Sequence, residues 1–86
     1  MGEKRQHTRT PFRSRVKLSH ADFDSIMATT RDLSDTGIYV FEDTLNLNIG
    51  TVVSVQIQDT PMEAPIVEMI VVRRDPEGYG LQFLRE

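Results

Sequence analysis

Two groups of residues in this chain carry side chains that suit the binding of a guanine nucleotide. The first is Arg5 and Arg9, which lie four positions apart near the N-terminus. An arginine side chain presents parallel N–H donors that match phosphate oxygens, or the O6 and N7 atoms of guanine, in pairs. Two arginines near a terminus are also typical of a solvated basic tail, so their meaning depends on the rest of the chain.

The second group is the string Asp32-Leu33-Ser34-Asp35-Thr36-Gly37. The carboxylate of Asp32 can accept hydrogen bonds from N1–H and N2–H of guanine. The Ser34 hydroxyl and backbone N–H groups near Gly37 can donate to phosphate oxygens. The same string is typical of a turn between strands, where Gly37 is free to take a positive φ. Together the two groups provide donors for one edge of guanine and an acceptor for the other.

The charge of the chain is unevenly distributed, although its net value is only −3. Residues 1–17 carry a single acid, Glu3, against the basic residues Lys4, Arg5, Arg9, Arg13, Arg15 and Lys17. The remainder is acidic and repels extended polyanions, whereas a local basic cluster can still hold a compact anion. The distribution therefore favours a small anionic ligand over DNA or RNA. We expect the other arginines of the strands, Arg13, Arg15, Arg73 and Arg74, to lie on exposed faces.

Composition restricts the class of protein. With 86 residues, 38% of them hydrophobic, the chain suffices for one domain with one core. Cysteine is absent and the two histidines are scattered, so we expect no disulfide, no metal site and no enzymatic activity. No apolar run approaches the roughly 20 residues that span a bilayer, and the N-terminus lacks the apolar segment of a secretory signal. These features predict a cytoplasmic protein without membrane insertion.

The elements that must position these residues are strands. Alternation is clearest where Val53, Val55 and Ile57 alternate with polar residues, and no helical period is present. A closed antiparallel barrel would leave no exposed edge, and an open sandwich is the alternative. We predict an all-β barrel over residues 12–86, preceded by a basic arm over residues 1–11. The predicted strands are 12–18, 25–33, 37–41, 51–58, 66–74 and 79–84, with a turn at 19–24, a turn at 75–78 and loops at 42–50 and 59–65.

The chain resembles the PilZ domain, a bacterial receptor for cyclic di-GMP. Arg5-Gln6-His7-Thr8-Arg9 matches its RxxxR motif, and the string from Asp32 to Gly37 matches its (D/N)xSxxG motif. The segments Gly50-Thr51, Val71-Val72-Arg73 and Tyr79-Gly80-Leu81-Gln82-Phe83 resemble the framework of that domain. The resemblance implies a six-stranded β-barrel with cyclic di-GMP as its ligand and no metal. It also implies that Arg5 and Arg9 contact phosphates and guanine faces, while Asp32, Ser34 and Gly37 hold a guanine edge and a phosphate.

The resemblance carries further expectations. The residue before the first motif arginine, here Lys4, bears on whether one ligand or an intercalated pair binds. Many members carry a helix after the last strand, whereas this chain ends at Glu86, so we expect one barrel opening to be uncovered. We expect ligand binding to order a flexible basic arm and thereby signal to a downstream protein, from a monomer or weak dimer. Two alternatives remain open: an OB-like barrel that binds single-stranded nucleic acid, and a PilZ-like adaptor that binds only protein.

Overall fold

The computed structural model describes residues 10–84 of the chain, and within this range it contains seven strands and no helix. Alternating apolar residues and closely spaced turns favour strands throughout. The strands are β1 (Thr10–Pro11), β2 (Arg15–His20), β3 (Phe23–Leu33), β4 (Gly37–Phe41), β5 (Val52–Ile57), β6 (Val67–Asp75) and β7 (Gly78–Phe83).

The six longer strands form one closed antiparallel barrel. Neighbouring strands follow the order β3-β2-β5-β6-β7-β4, and β4 pairs back with β3. The 11-residue strand β3 makes closure possible because its first part pairs with β2 and its second part pairs with β4. The short strand β1 lies outside the ring and pairs with the end of β3. The predicted six-stranded barrel is therefore confirmed, with one additional strand.

The core fills the inside of the barrel with one face of each long strand. Its most enclosed members include Val16, Val40 and Val71, none of which has exposed surface. Tyr79 is also buried, and its hydroxyl donates to the Leu45 carbonyl at 2.7 Å and accepts from the Leu47 N–H at 3.0 Å. These bonds hold the loop between β4 and β5 against the core. The other core residues are Leu18, Ala28, Ile38, Leu47, Val53, Val55, Met69 and Leu81.

Several predicted strand limits need correction. The first long strand begins at Arg15 rather than residue 12, and the preceding Ser14 N–H donates to the Thr30 hydroxyl at 2.9 Å. The turn predicted over residues 19–24 is shorter, because β2 continues to His20 and β3 begins at Phe23. Strand β1 was not predicted, since two residues carry no readable alternation.

Candidate functional site

The turn between β3 and β4 is held by the second motif itself. The Ser34 N–H donates to the Gly37 carbonyl at 2.9 Å, and the Ser34 hydroxyl accepts from the Thr36 N–H at 3.3 Å. The Ser34 and Thr36 hydroxyls are 3.2 Å apart, and Ser34 is buried. A serine hydroxyl that bonds to a backbone N–H two residues ahead stabilises a tight turn. Ser34 therefore has a structural role here whether or not a ligand is bound.

Gly37 is needed for close strand packing and does not take the positive φ that a glycine allows. Among residues 10–84, positive φ is found only at Gly50, at +99°. A Cβ atom on Gly37 would lie 1.9 Å from the backbone carbonyl oxygen of Leu81 on β7. Because a backbone atom cannot move aside as a flexible side chain can, this position excludes a side chain.

Asp32 lies on the outer face of the barrel beside Arg31 because of a β-bulge. Thr30 pairs with Val40 and Asp32 pairs with Tyr39, so Arg31 is an extra residue with no partner in the β4 register. Successive side chains of a regular strand point to opposite faces, whereas a bulge can place two neighbours on the same face. Here Nε of Arg31 donates to Oδ2 of Asp32 at 2.7 Å. This hydrogen bond raises the pKa of the Arg31 guanidinium.

Tyr39 forms the floor beneath this ion pair. Its ring is on the outer face of β4, yet it is only 1% exposed, because the Arg31 guanidinium carbon lies 3.9 Å above the ring centroid. The Tyr39 hydroxyl donates to Oδ1 of Asp75 on β6. Burial and this hydrogen bond raise the pKa of Tyr39 to about 12. The same bond lowers the pKa of Asp75. Tyr39 is therefore a fixed, neutral platform at ordinary pH.

A second bulge brings another arginine toward the same ring. Val71 pairs with Leu81 and Arg73 pairs with Gly80, so Val72 is the extra residue in β6. The Arg73 guanidinium carbon lies 5.4 Å from the Tyr39 centroid, and Nη2 of Arg73 is 3.5 Å from Oδ2 of Asp75. Tyr39 is thus flanked by one arginine from β3 and one from β6.

A shallow recess of about 260 Å³ opens next to this platform on the outer wall. Complete small-molecule sites usually measure about 300–1,000 Å³, so the recess suits a part of a dinucleotide rather than all of it. Its lining combines motif residues with residues of β6 and β7: Ser34, Thr36, Gly37, Ile38, Tyr39, Val72, Arg73, Gly80, Leu81 and Gln82.

The residues predicted for the site fall into two sets. Asp32, Ser34 and Gly37 lie together at the end of β3 and the start of β4. The predicted residues Lys4, Arg5 and Arg9 lie outside the described residues. The chain that follows them does reach the site, because Thr10 pairs with Leu33 and Pro11 pairs with Asp32.

Three residues of this arrangement were missed by sequence reasoning: Arg31, Tyr39 and Asp75. Arg31 stands next to Asp32 in the sequence, but regular alternation would place the two on opposite faces. Tyr39 lies in an apolar run typical of core, and Asp75 reads as a turn former. Sheet closure and the two bulges bring these side chains together.

A larger open cavity of about 550 Å³ lies between the β2–β3 turn and the loop before β5. His20 and Phe23 stack at 5.7 Å between ring centroids on its wall. None of the motif residues between 10 and 84 lines it, and its remaining lining comes from Asp22, Leu45, Asn46, Leu47, Asn48, Thr51 and Val52. We therefore place the candidate site at the smaller recess.

Two kinds of feature are not found in the part of the chain that the structure describes. Between residues 10 and 84, no three histidine or acidic side chains are grouped so as to hold a metal ion. Over the same range there is no helix with the length and apolar character needed to cross a membrane.

The described strands define a small all-β barrel domain with a recess on its outer wall. The family model of the PilZ domain matches residues 3–86, nearly the whole chain. The chain therefore belongs to the PilZ family, whose members are cyclic di-GMP receptor and adaptor domains rather than enzymes in general. No curated protein sequence matches it.

Proposed function

We propose that this protein is a non-enzymatic receptor that binds cyclic di-GMP on the outer wall of its barrel and passes the signal to a partner protein. The observation that carries the proposal is that Ser34 and Gly37 line one recess, while Asp32, two residues before Ser34, pairs with Pro11 of the strand that follows Arg9. Asp32 would accept hydrogen bonds from a guanine edge, and the turn at Ser34 would lie against a phosphate. Bacterial origin and cytoplasmic location belong to the same proposal.

Lys4, Arg5 and Arg9 complete this proposal as the source of positive charge. A cyclic dinucleotide carries two phosphates, and arginine pairs with phosphate bidentately while its plane can also stack on a purine. Arg73 also lines the recess, and 58% of its side chain is exposed. It offers a further cation, from β6 of the barrel. The ligand would thus lie between an arm and a wall that both carry guanidinium groups.

Single-stranded nucleic acid is a weaker candidate ligand because the described aromatic side chains are not arranged for base stacking. A nucleic-acid-binding barrel presents exposed aromatic rings along a basic groove. Between residues 10 and 84 no aromatic residue is fully exposed, and Tyr39 is covered by Arg31. This surface suits a compact ligand held by charge and hydrogen bonds.

Calorimetric titration of cyclic di-GMP into the wild type and into Arg9→Ala and Asp32→Ala tests the site. Each substitution should weaken binding by about 2–5 kcal/mol, because it leaves the partner of a charge-assisted hydrogen bond unsatisfied. Asp24→Ala is the matched control, since Asp24 is an exposed carboxylate at the other end of β3. Undiminished binding in both site variants would refute the site, and a wild type that does not bind would refute the function.

The same complex tests the non-enzymatic role and the transmission step. The ligand should be recovered intact after prolonged incubation. Saturating ligand should slow amide exchange over residues 1–9 if ordering of the arm carries the signal. Unchanged exchange there would reject the arm as the element that responds.

A further inference from the structure

One part of the outer wall has no role in the motif chemistry, yet it contacts a motif residue directly. Arg31 is 36% exposed at its side chain and ion-pairs with Asp32, which is 13% exposed. Its guanidinium group also packs on the ring of Tyr39 at 3.9 Å. Two independent contacts thus hold one arginine at an exposed surface, where a single arginine usually samples many conformations.

The platform beneath Arg31 is itself held in place. Tyr39 is bound through its hydroxyl to Asp75, which also accepts from the backbone N–H groups of Glu77 at 3.0 Å and Gly78 at 3.1 Å. Asp75 is therefore fixed by the turn between β6 and β7. A continuous chain of contacts runs from this turn through Tyr39 and Arg31 to Asp32.

The backbone of Arg31 is fixed as well. Its carbonyl accepts the Phe12 N–H at 3.1 Å, directly after β1. The Arg31 side chain leaves from a bulge, the irregularity that β-sheets commonly use to aim a side chain near a functional site. The backbone of Arg31 and its guanidinium group are thus both constrained.

We infer that Arg31 is a positioning residue that, held by Tyr39 and Asp75, sets the orientation of the Asp32 carboxylate and so determines how selectively the site recognises guanine. The inference rests on the proposed function and adds the residues that orient the Asp32 carboxylate. A carboxylate selects the N1–H and N2–H pair of guanine only if both oxygens are aimed at that edge. A loosely held carboxylate would still attract donors but would distinguish them poorly.

The test compares two probes, cyclic di-GMP and its inosine analogue, which lacks the N2 amino group. In the wild type the analogue should bind about tenfold or more weakly, because one charge-assisted hydrogen bond is missing. We call the Kd of the inosine analogue divided by the Kd of cyclic di-GMP the discrimination ratio. In Arg31→Gln this ratio should fall to about threefold or less, and affinity for cyclic di-GMP should fall about tenfold. Arg31→Lys should not restore the ratio, since an ammonium group lacks both the planar stacking face and the Nε donor.

The ratio separates positioning from direct contact. If Arg31 bound a ligand phosphate itself, its removal would weaken both probes equally and leave the ratio unchanged. Arg13→Gln is the matched control, because it also removes an arginine that packs on an aromatic ring, at 5.7 Å from Phe41. This control should keep the wild-type ratio.

Tyr39→Phe provides a milder second variant. It retains the ring under Arg31 but loses the hydroxyl that binds Asp75, so the ratio should fall in the same direction by a smaller factor. A wild type that binds and discriminates, with ratios unchanged in Arg31→Gln and Tyr39→Phe, would overturn the inference and leave the proposed function intact. If Arg31→Gln does not fold, an unchanged ratio in Tyr39→Phe is sufficient to overturn it. A wild type that binds neither probe would overturn both.

Discussion

Two sides of the same barrel differ in how regular they are. On the regular side, formed by β2, β5 and the first half of β6, the β2–β5 and β5–β6 ladders run without a register shift. On the bulged side, formed by β3, β4, β7 and the second half of β6, two of the three register shifts between the described strands lie on either side of Tyr39; the third is at the far end of the β2–β3 ladder. The motif residues Asp32, Ser34 and Gly37 all belong to the bulged side.

The difference shows what each kind of pairing contributes. On the regular side, Val53 and Val55 point inward while Ser54 and Gln56 point outward, so the strand has one apolar and one polar face. On the bulged side, β4 is buried on both faces, because arginine side chains cover Tyr39 from outside. Regular ladders build the core, whereas the bulges place several charged groups on one outer face.

The largest expected effect comes from a core deletion on the regular side. Leu18→Ala should lower the free energy of unfolding by about 2–5 kcal/mol, because Leu18 is 1% exposed and its loss leaves a cavity. Urea unfolding measures this change. Affinity of the folded variant for cyclic di-GMP should match the wild type. A parallel loss of affinity would show that the two sides are not separable.

An intermediate effect is expected from glycines on the bulged side. Gly37→Ala should destabilise the protein by about 1–3 kcal/mol, because the new Cβ would meet a backbone carbonyl oxygen at 1.9 Å. Gly80→Ala is the matched control. Its Cβ would lie 3.3 Å from the Cβ of Arg73, a tight contact that a shift of a few tenths of an ångström relieves. Thermal unfolding of both variants should show the larger loss in Gly37→Ala, and equal losses would contradict the close-approach explanation.

The smallest effect concerns the hydroxyl of Tyr39. Tyr39→Phe should cost about 1 kcal/mol near neutral pH, because it removes one hydrogen bond to Asp75. The folded protein raises the pKa of Tyr39 from 10.0 to about 12, so it holds the phenolic proton more tightly than the unfolded chain does. This contribution is fully present below pH 10 and is lost as the pH rises toward about 12.

The measurement is the stability difference between the wild type and Tyr39→Phe across that range. The difference should shrink from pH 10 to about 12, since lysine and arginine titration affects both proteins alike. A constant difference over this range would argue against the raised pKa and against a tight contact between Tyr39 and Asp75.

Much of the fold could be predicted because it depends on local alternation. The strand over 52–57 follows directly from Val53, Val55 and Ile57, and its observed limits differ from the predicted 51–58 by one residue at each end. The inward register of β6 could not be assigned from its β-branched run. In the structure, Met69 and Val71 face the core. Position within the sheet decides that register, because both faces of such a run are apolar enough to be buried.

The candidate site was predicted in part for a similar reason. Asp32, Ser34 and Gly37 are close in sequence, so their proximity at one turn needs no tertiary information. The partnership of Arg31 with Tyr39 and Asp75 depends on strands far apart in the chain. The local sequence pattern does not predict where a bulge will fall, because a bulge is defined by how two paired strands align.

The sequence by itself determined an all-β chain and placed Asp32, Ser34 and Gly37 close together, because side-chain alternation and short spacings are local properties. Tertiary structure alone decided that Gly37 serves close packing with β7 rather than a positive φ. It also decided that Tyr39 is a platform on the outer wall and that Arg31 is aimed at Asp32. These outcomes depend on register and barrel closure, which bring distant strands together and are set by the packing of the whole sheet.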